Sequence, residues 1–385
     1  MHRRTFLTAA TLPFLVPATN GLFSASSLQT PGTIKPARLQ PGDTVGLVTP
    51  ATATYQQDEL DVARESLEGL GLKVKIGAHV RDRHGSLGGR DTDRAADLNR
   101  FFADRTVKAI LPTRGGWGTA RLLPLLDFDL IRRNPKILMG FSDITALLNG
   151  IHARTGVITF HGPNAGGRWD EFSVDYVRRI LFGGESVTFE NPKTTSDRNV
   201  LTQVENRIRV ITPGQASGRL LGGNLTVLTA ILGSPYVPNF DDSILFLEDV
   251  GEDWYRVDRM MTSLKLAGIL PKIRGFIFGT CSECGPGEGF ASLTPEEIFK
   301  DHIAPRCTRM ERRHDRPRPR AVDTTRRRAR EHRHEHGHRE DARSRGQLTK
   351  ILWYVPYRMT TRATTAPSRM ASRCSMPLTM RANTV

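Results

Sequence analysis

The stretch Pro135-Lys136-Ile137-Leu138-Met139-Gly140-Phe141-Ser142-Asp143-Ile144-Thr145-Ala146-Leu147-Leu148 decides how this chain is read. The apolar run Ile137 to Met139 has the composition of a buried strand, and Gly140 permits a sharp turn. From Asp143 onward the apolar residues recur at helical spacing. Ser142 therefore falls at a strand-to-helix turn. At such a turn a hydroxyl projects from the sheet edge, and the helix's leading amides and positive dipole end face any negative charge that develops there. This is the pattern of a nucleophile elbow, although Ile144 stands where the hydrolase pattern has its second glycine. The position equally suits a serine that only caps the helix.

The residues on either side extend the same rhythm. Asp43–Thr49 reads as a strand, Asp58–Leu70 as an amphipathic helix ended by Gly71, and Lys73–Ile76 as a strand. Asp91–Ala103 reads as a helix, Val107–Leu111 as a strand and Gly118–Leu126 as a helix. Such alternation predicts a parallel sheet covered on both faces, with sites beyond the carboxyl ends of its strands. Arg114-Gly115-Gly116-Trp117-Gly118 follows one of those strands. Its glycines allow close backbone approach and an amide for an oxyanion, and Arg114 is suited to receive a carboxylate. A phosphate loop fits less well, because no Lys-Ser/Thr pair follows.

Beyond Ser142 the helix is expected to run to about Ala153, and Val157–Phe160 to form a strand leading into His161-Gly162-Pro163. His161 is a candidate base or a packed structural histidine. Residues 186–215 lose the rhythm and mark a change of domain. Gly222-Gly223-Asn224-Leu225 reads as a turn opening a helix. Ser243–Leu247 is an apolar strand ending in Glu248-Asp249. A carboxylate there suits orienting a histidine, and equally a salt bridge or a helix start. Trp254–Ala267 reads as a helix and Gly275–Gly279 as a further strand.

A chain of 385 residues accommodates two domains with cores of their own. Its formal charge of +15 comes from 55 basic and 40 acidic residues, but 21 basic and 7 acidic residues lie beyond position 305. That leaves 34 and 33 in the body. The body is therefore near neutral, which removes the main argument for nucleic-acid binding there. Four cysteines are too few for a disulfide scaffold, and Cys281-x-x-Cys284 lacks the second pair a zinc site needs. A redox, structural or incidental pair remains. At the N-terminus, Arg3-Arg4-x-Phe6-Leu7 precedes an uncharged apolar stretch from Ala9 to Ala18, which reads as a twin-arginine export signal. A periplasmic or secreted location is the expectation, with cleavage within Thr19–Ser27.

Several of these pieces occur in one order: Leu39-x-Pro41-Gly42-Asp43, Arg114 to Gly118, Gly140-Phe141-Ser142-Asp143, His161-Gly162-Pro163, Gly222 to Leu225, and Phe246-Leu247-Glu248-Asp249 with Tyr255-Arg256-x-Asp258-Arg259. Over about residues 35–305 the chain resembles the LD-carboxypeptidase family, serine peptidases that trim murein tetrapeptides and include microcin C self-immunity peptidases. The resemblance implies an α/β fold with a flavodoxin-like parallel-sheet N-terminal domain and a smaller mixed β/α C-terminal domain. It implies Ser142 as nucleophile, Glu248 as the carboxylate that holds a histidine, and amides of Asp143 and of the Gly115-Gly116 pair as oxyanion donors, with Arg114 toward substrate. No cofactor or metal is implied. The partner is a muropeptide, with muropeptide binding alone or peptidyl-nucleotide hydrolysis as the alternatives, and a homodimer is compatible with it. The organisation expected is a signal and linker over 1–32, the nucleophile domain over 33–184, a truncated C-terminal domain over 185–305 and a basic tail over 306–385.

The family's histidine, in a Gly-His pair followed by Leu-Pro-x-Gly, has no counterpart in the chain, and neither His302 nor His314 has a motif around it that replaces it. By composition alone the segment from Arg306 reads as a basic disordered tail. Read one base later, however, the codons of Arg306 to Arg318 permit Gly-Val-Pro-Ala-Trp-Ser-Gly-Ala-Met-Ile-Gly-His. Those of Arg318 to Arg328 permit Val-Pro-Glu-Gln-Leu-Thr-Leu-Pro-Val-Gly. The tryptophan is forced, because Met310 is ATG and Glu311 begins with G. The expectation is that residues beyond about 305 are the product of a shifted reading frame, and that the chain as it stands lacks its general base.

Overall fold

The computed structural model describes residues 32–191, 208–287 and 292–303. The export signal, the basic tail, His314 and the segment whose shifted frame restores Gly-His all lie outside them.

Five strands form the first sheet: β1 (Thr44–Val48), β2 (Lys73–Ile76), β3 (Val107–Pro112), β4 (Ile137–Gly140) and β5 (Phe160–His161). All pair in parallel in the order β2-β1-β3-β4-β5, the flavodoxin-like arrangement. The chain order reverses between β1 and β3, so the loops leaving these strands flank a crevice. Thr49 and Thr113 bond across it, Oγ1 to Oγ1, at 3.1 Å.

Helices α1 (Gln57–Gly69), α2 (Asp91–Ala103), α3 (Phe128–Arg133), α4 (Thr145–Thr155) and α5 (Glu171–Val177) cover this sheet. In α2, Ala95, Leu98, Phe101 and Phe102 supply the buried stripe that a 3.6-residue period demands. Buried Asp97 accepts the backbone N–H groups of Ala78 and His79 and so anchors the loop after β2. The segment expected to be a helix over Gly118–Leu126 is a 3-10 helix over Thr119–Leu125, because Pro124 supplies no amide for a regular α-helix.

Helix α4 differs from the others, for Ala146 to Ile151 are all buried. A helix apolar all round is packed on more than one side. Its second neighbour is the other sheet, made of β6 (Arg219–Asn224), β7 (Ser243–Val250) and β8 (Gly275–Ser282) in parallel. The remaining helices are α6 (Leu225–Ala230), α7 (Trp254–Leu266) and α8 (Pro295–Ile303). One apolar cluster runs from Leu147 and Ile151 of α4 to Leu221, Leu225 and Leu228, and on to Leu245, Leu247 and Phe278. Each such side chain contributes on the order of 2 kcal/mol by leaving water.

Two further expectations are corrected. Gly222 and Gly223 lie inside β6 and do not form a turn. A Cβ on Gly222 would collide with the carbonyl of Phe246 in the neighbouring strand and one on Gly223 with the side chain of Thr145 in α4, so the close approaches that these glycines permit are within the protein. The strand expected over Val157–Phe160 is reduced to Phe160–His161, because Ile158 donates its N–H to the carbonyl of Ile34 at 2.9 Å, and Val157 bridges to Ile34.

Candidate functional site

Ser142 stands at the carboxyl end of β4, two residues past Gly140, and opens a single 3-10 turn over Ser142–Ile144 that runs into α4. Its φ is 64°, in the left-handed region that a serine enters only at a cost on the order of 1 kcal/mol. The surroundings maintain it. Buried Asp143 accepts the backbone N–H of Thr119 at 2.8 Å, and the hydroxyl of Thr119 donates to the Asp143 carbonyl. The N–H of Phe141 donates to Asn164 Oδ1 at 3.2 Å. Burial raises the pKa of Asp143, against the lowering effect of its bonds from Thr119.

The glycine loop after β3 meets the serine. A Cβ on Gly115 would stand 2.9 Å from Ser142 Cβ and 3.0 Å from its Oγ, so only glycine leaves the hydroxyl open. Gly116 lies against the side chain of Thr52, which accepts the N–H of Trp117 at 3.3 Å. The Trp117 indole donates to Ser86 Oγ at 3.0 Å while half its surface remains exposed. Arg114 lies 3.9 Å from Glu59, with both side chains more than two-fifths exposed. A pair of that kind contributes at most about 1 kcal/mol.

Glu248 is supplied by β7, in register with Asn224 of β6. It is buried, and its Oε1 makes no hydrogen bond to a described residue. Burial, with Asp249 adding repulsion, pushes its pKa up to about 8, against a lowering bond from Asn224. Asp249 points the other way and organises the start of α6. It accepts Asn224 Nδ2 at 3.0 Å, the Thr226 N–H at 3.0 Å and the Thr226 hydroxyl at 2.9 Å. His161, at the end of β5, brings its Nε2 to 3.8 Å from Glu248 Oε1. The distance is that of an ion pair, but burial takes the imidazole pKa down to about 3 and pushes the carboxyl pKa up, so it disfavours the charged form of each group.

His302 does not join this group, for its Nε2 bonds Asp258 at 2.8 Å between α8 and α7. Cys281 and Cys284 form a disulfide at the end of β8. Cys284 Sγ accepts the N–H of Glu252 at 3.4 Å, so the pair serves to close the turn between β7 and α7. His79, Asp82 and Asp93 bring potential metal-ligand atoms within 4.8 Å of one another, but His79 Nδ1 and Asp82 already bond at 2.7 Å. No helix of the described residues is long and apolar enough to cross a membrane.

Two residues with a part in this arrangement were not singled out from the sequence. Thr145 Oγ1 accepts the N–H of Asn224 at 2.9 Å, and Asn149 Nδ2 donates to the Gly222 carbonyl at 2.9 Å. The available signal was a pair of polar residues four apart in the buried, otherwise apolar first part of a helix, Thr145 to Ile151.

A flavodoxin-like sheet that presents a left-handed serine, joined to a second parallel sheet that buries a carboxylate, is the framework of a two-domain α/β hydrolase. The chain belongs to the LD-carboxypeptidase family: residues 45–162 match the LD-carboxypeptidase N-terminal domain and residues 217–315 the LD-carboxypeptidase C-terminal domain. It is 39% identical over 269 residues to a probable murein peptide carboxypeptidase of Bacillus subtilis, covering 70% of this chain and 82% of the relative. It is 32% identical over 268 residues to the murein tetrapeptide carboxypeptidase of Pseudomonas aeruginosa, covering 68% and 83%. Among solved structures, the microcin C7 self-immunity protein MccF in its wild-type apo state superposes with a TM-score of 0.63 at 28% identity, covering 71% of this chain and 87% of that one. The same protein has been solved in complex with aspartyl sulfamoyl adenosine.

Proposed function

We propose that this chain derives from an exported serine carboxypeptidase of LD specificity, which removes the terminal D-alanine from murein tetrapeptides. The observation that carries the reading is Ser142, held at φ 64° beyond β4 with its hydroxyl open only because residue 115 is glycine. In the proposed reaction Ser142 Oγ attacks the carbonyl that precedes D-alanine and gives its proton to a histidine. The amides of Asp143 and of Gly115 or Gly116 receive the oxyanion, the histidine returns the proton to the departing amine, and water then releases the acyl group. Glu248 orients the imidazole. Arg114, which among the described residues makes a weak surface pair with Glu59, is available to the substrate's terminal carboxylate.

The histidine is the missing part. His302 is committed to Asp258, and a Gly-His pair followed by Leu-Pro-x-Gly exists only in the shifted frame, with its histidine across the codons of Pro317 and Arg318. We therefore propose that the 385-residue product is inactive and that residues 306–385 replace the segment carrying the base. A muropeptide-binding role without cleavage is the alternative for the chain as it stands. Likeness to MccF supports a second substrate class, a peptidyl nucleotide, for the repaired chain.

The test is accurate sequencing across codons 295–350, followed by expression of the chain with the frame restored. Release of D-alanine from the tetrapeptide by the repaired chain, lost in S142A and absent from the 385-residue product, is expected. Undiminished release by the 385-residue product, or none from the repaired chain, overturns the reading. Export is tested by fusing residues 1–32 to a reporter and replacing Arg3 and Arg4 with lysine, which should retain the reporter in the cytoplasm.

A further inference from the structure

Strand β5 has only two residues, and the second, His161, pairs with Gly140 at the end of the strand that presents Ser142. Its side chain leaves the first sheet and reaches the second. Nε2 lies 3.8 Å from Glu248 Oε1, with side chains only 5% and 7% exposed. The ring is fixed edge-on to Phe246 of β7, centroids 5.3 Å apart, and to Phe141, 6.4 Å apart. The imidazole therefore connects the strand that bears the serine with the strand that bears the carboxylate.

A carboxylate needs one oxygen held if the other is to orient a base in a fixed direction. Asn224 acts on Glu248 from β6, Asp249 repels it from β7, and His161 faces Oε1 from β5. We propose that His161 is a positioning residue that acts through Glu248: its Nε2 holds Oε1 across the junction of the two sheets and leaves the other oxygen to the base serving Ser142. The inference rests on the reading of Glu248 given above. A histidine present only for packing would fill the same space without setting the proton affinity of the carboxyl group. At 3.8 Å the contact is longer than a hydrogen bond, and it acts as a directed dipole in a medium of low dielectric.

The experiment uses the 385-residue chain and needs no turnover. Infrared difference spectra across pH follow the carbonyl stretch of protonated Glu248, assigned by its disappearance in E248Q. H161F keeps a ring against Phe246 and removes both nitrogens; it should raise the Glu248 midpoint by about one pH unit or more, and H161Q, which retains an amide donor, should restore part of the shift. An H161F midpoint equal to that of the parent overturns the proposal, whatever happens to thermal stability. Should H161F fail to fold, the ring 15N shifts of His161 in the parent and in E248Q decide. A change of shift supports the contact, and identical shifts reject it. A carboxyl shift with no D-alanine release from the repaired chain would reject the carboxypeptidase reading and leave the His161–Glu248 pair intact.

Discussion

Thr145 Oγ1 accepts the backbone N–H of Asn224 at 2.9 Å, three residues after Ser142 on one side and directly opposite Glu248 on the other. The bond is fully buried, so it sets the distance between the nucleophile's helix and β6, the strand beside the carboxylate's, without competition from water. Asn149 repeats the tie one helical turn later, through the carbonyl of Gly222. Between them, the two bonds make α4 the common support of both halves of the site.

Thr145→Val keeps the shape of the side chain and removes the acceptor. It leaves the Asn224 N–H buried and unpaired, at a cost of about 1–3 kcal/mol in urea unfolding. Thr145→Ser should retain most of the stability. Equal stability of the valine and serine variants would show that the bond carries no weight.

Ser142→Gly relieves the left-handed backbone and should stabilise the fold by about 1 kcal/mol. In the frame-restored chain, labelling by a fluorophosphonate should be lost at the same time. A variant less stable than the parent would contradict the strain assigned to φ 64°.

Gly115→Ala places a methyl group 3.0 Å from Ser142 Oγ. In the frame-restored chain, D-alanine release should fall at least about tenfold, the loss expected when an oxyanion donor or the line of attack is displaced. The melting temperature should move far less than the rate. Unimpaired release would remove the glycine loop from the site.

The pH dependence of stability has two limbs of opposite origin. Glu248 has a folded pKa raised from 4.5 to about 8, so the folded state holds a proton that the unfolded state releases, and stability falls as pH rises between those values. His161 has a folded pKa lowered from 6.5 to about 3, so stability falls as pH drops through that interval. Where the intervals overlap, from 4.5 to 6.5, the two slopes cancel. E248Q should flatten the limb above pH 6.5 and H161Q the limb below pH 4.5, each by up to about 1.4 kcal/mol per pH unit. Denaturant melts at pH 3.5, 5.5 and 7.5 give the comparison. An alkaline limb unchanged in E248Q would assign it to other groups, such as Asp143 or Asp249.

What the sequence made legible is what short-range patterns encode. Alternating apolar runs and helical periods marked the first sheet, and the change from Ile137–Met139 to helical spacing located Ser142 before any geometry was known. Glu248 was found because it ends an apolar strand. Strand β6 was hidden because Gly222 and Gly223 have little strand propensity, and the reasons for them, the carbonyl of Phe246 and the side chain of Thr145, lie far along the chain. The contact of His161 with Glu248 and that of Thr145 with Asn224 are likewise relations between distant segments, to which local spacing is blind. The disulfide was not decided by the spacing of Cys281 and Cys284, since the same spacing serves metal binding and redox chemistry.

The apolar cluster that passes through α4 from one sheet to the other has a consequence for the behaviour of the two halves. Leu147 and Ile151 lie in the same continuous core as Leu221, Leu225 and Leu228, so the core on that face of the first sheet is completed by the second half, while the opposite face is closed by the first half's own residues. Heating should produce one cooperative transition for the body of the protein, and a gene cut between α5 and β6 should yield two fragments that aggregate apart and recover only when refolded together. A chimera that takes one half from a relative should lose stability unless the facing half comes with it, because the helix that follows the nucleophile is also an internal wall of its neighbour.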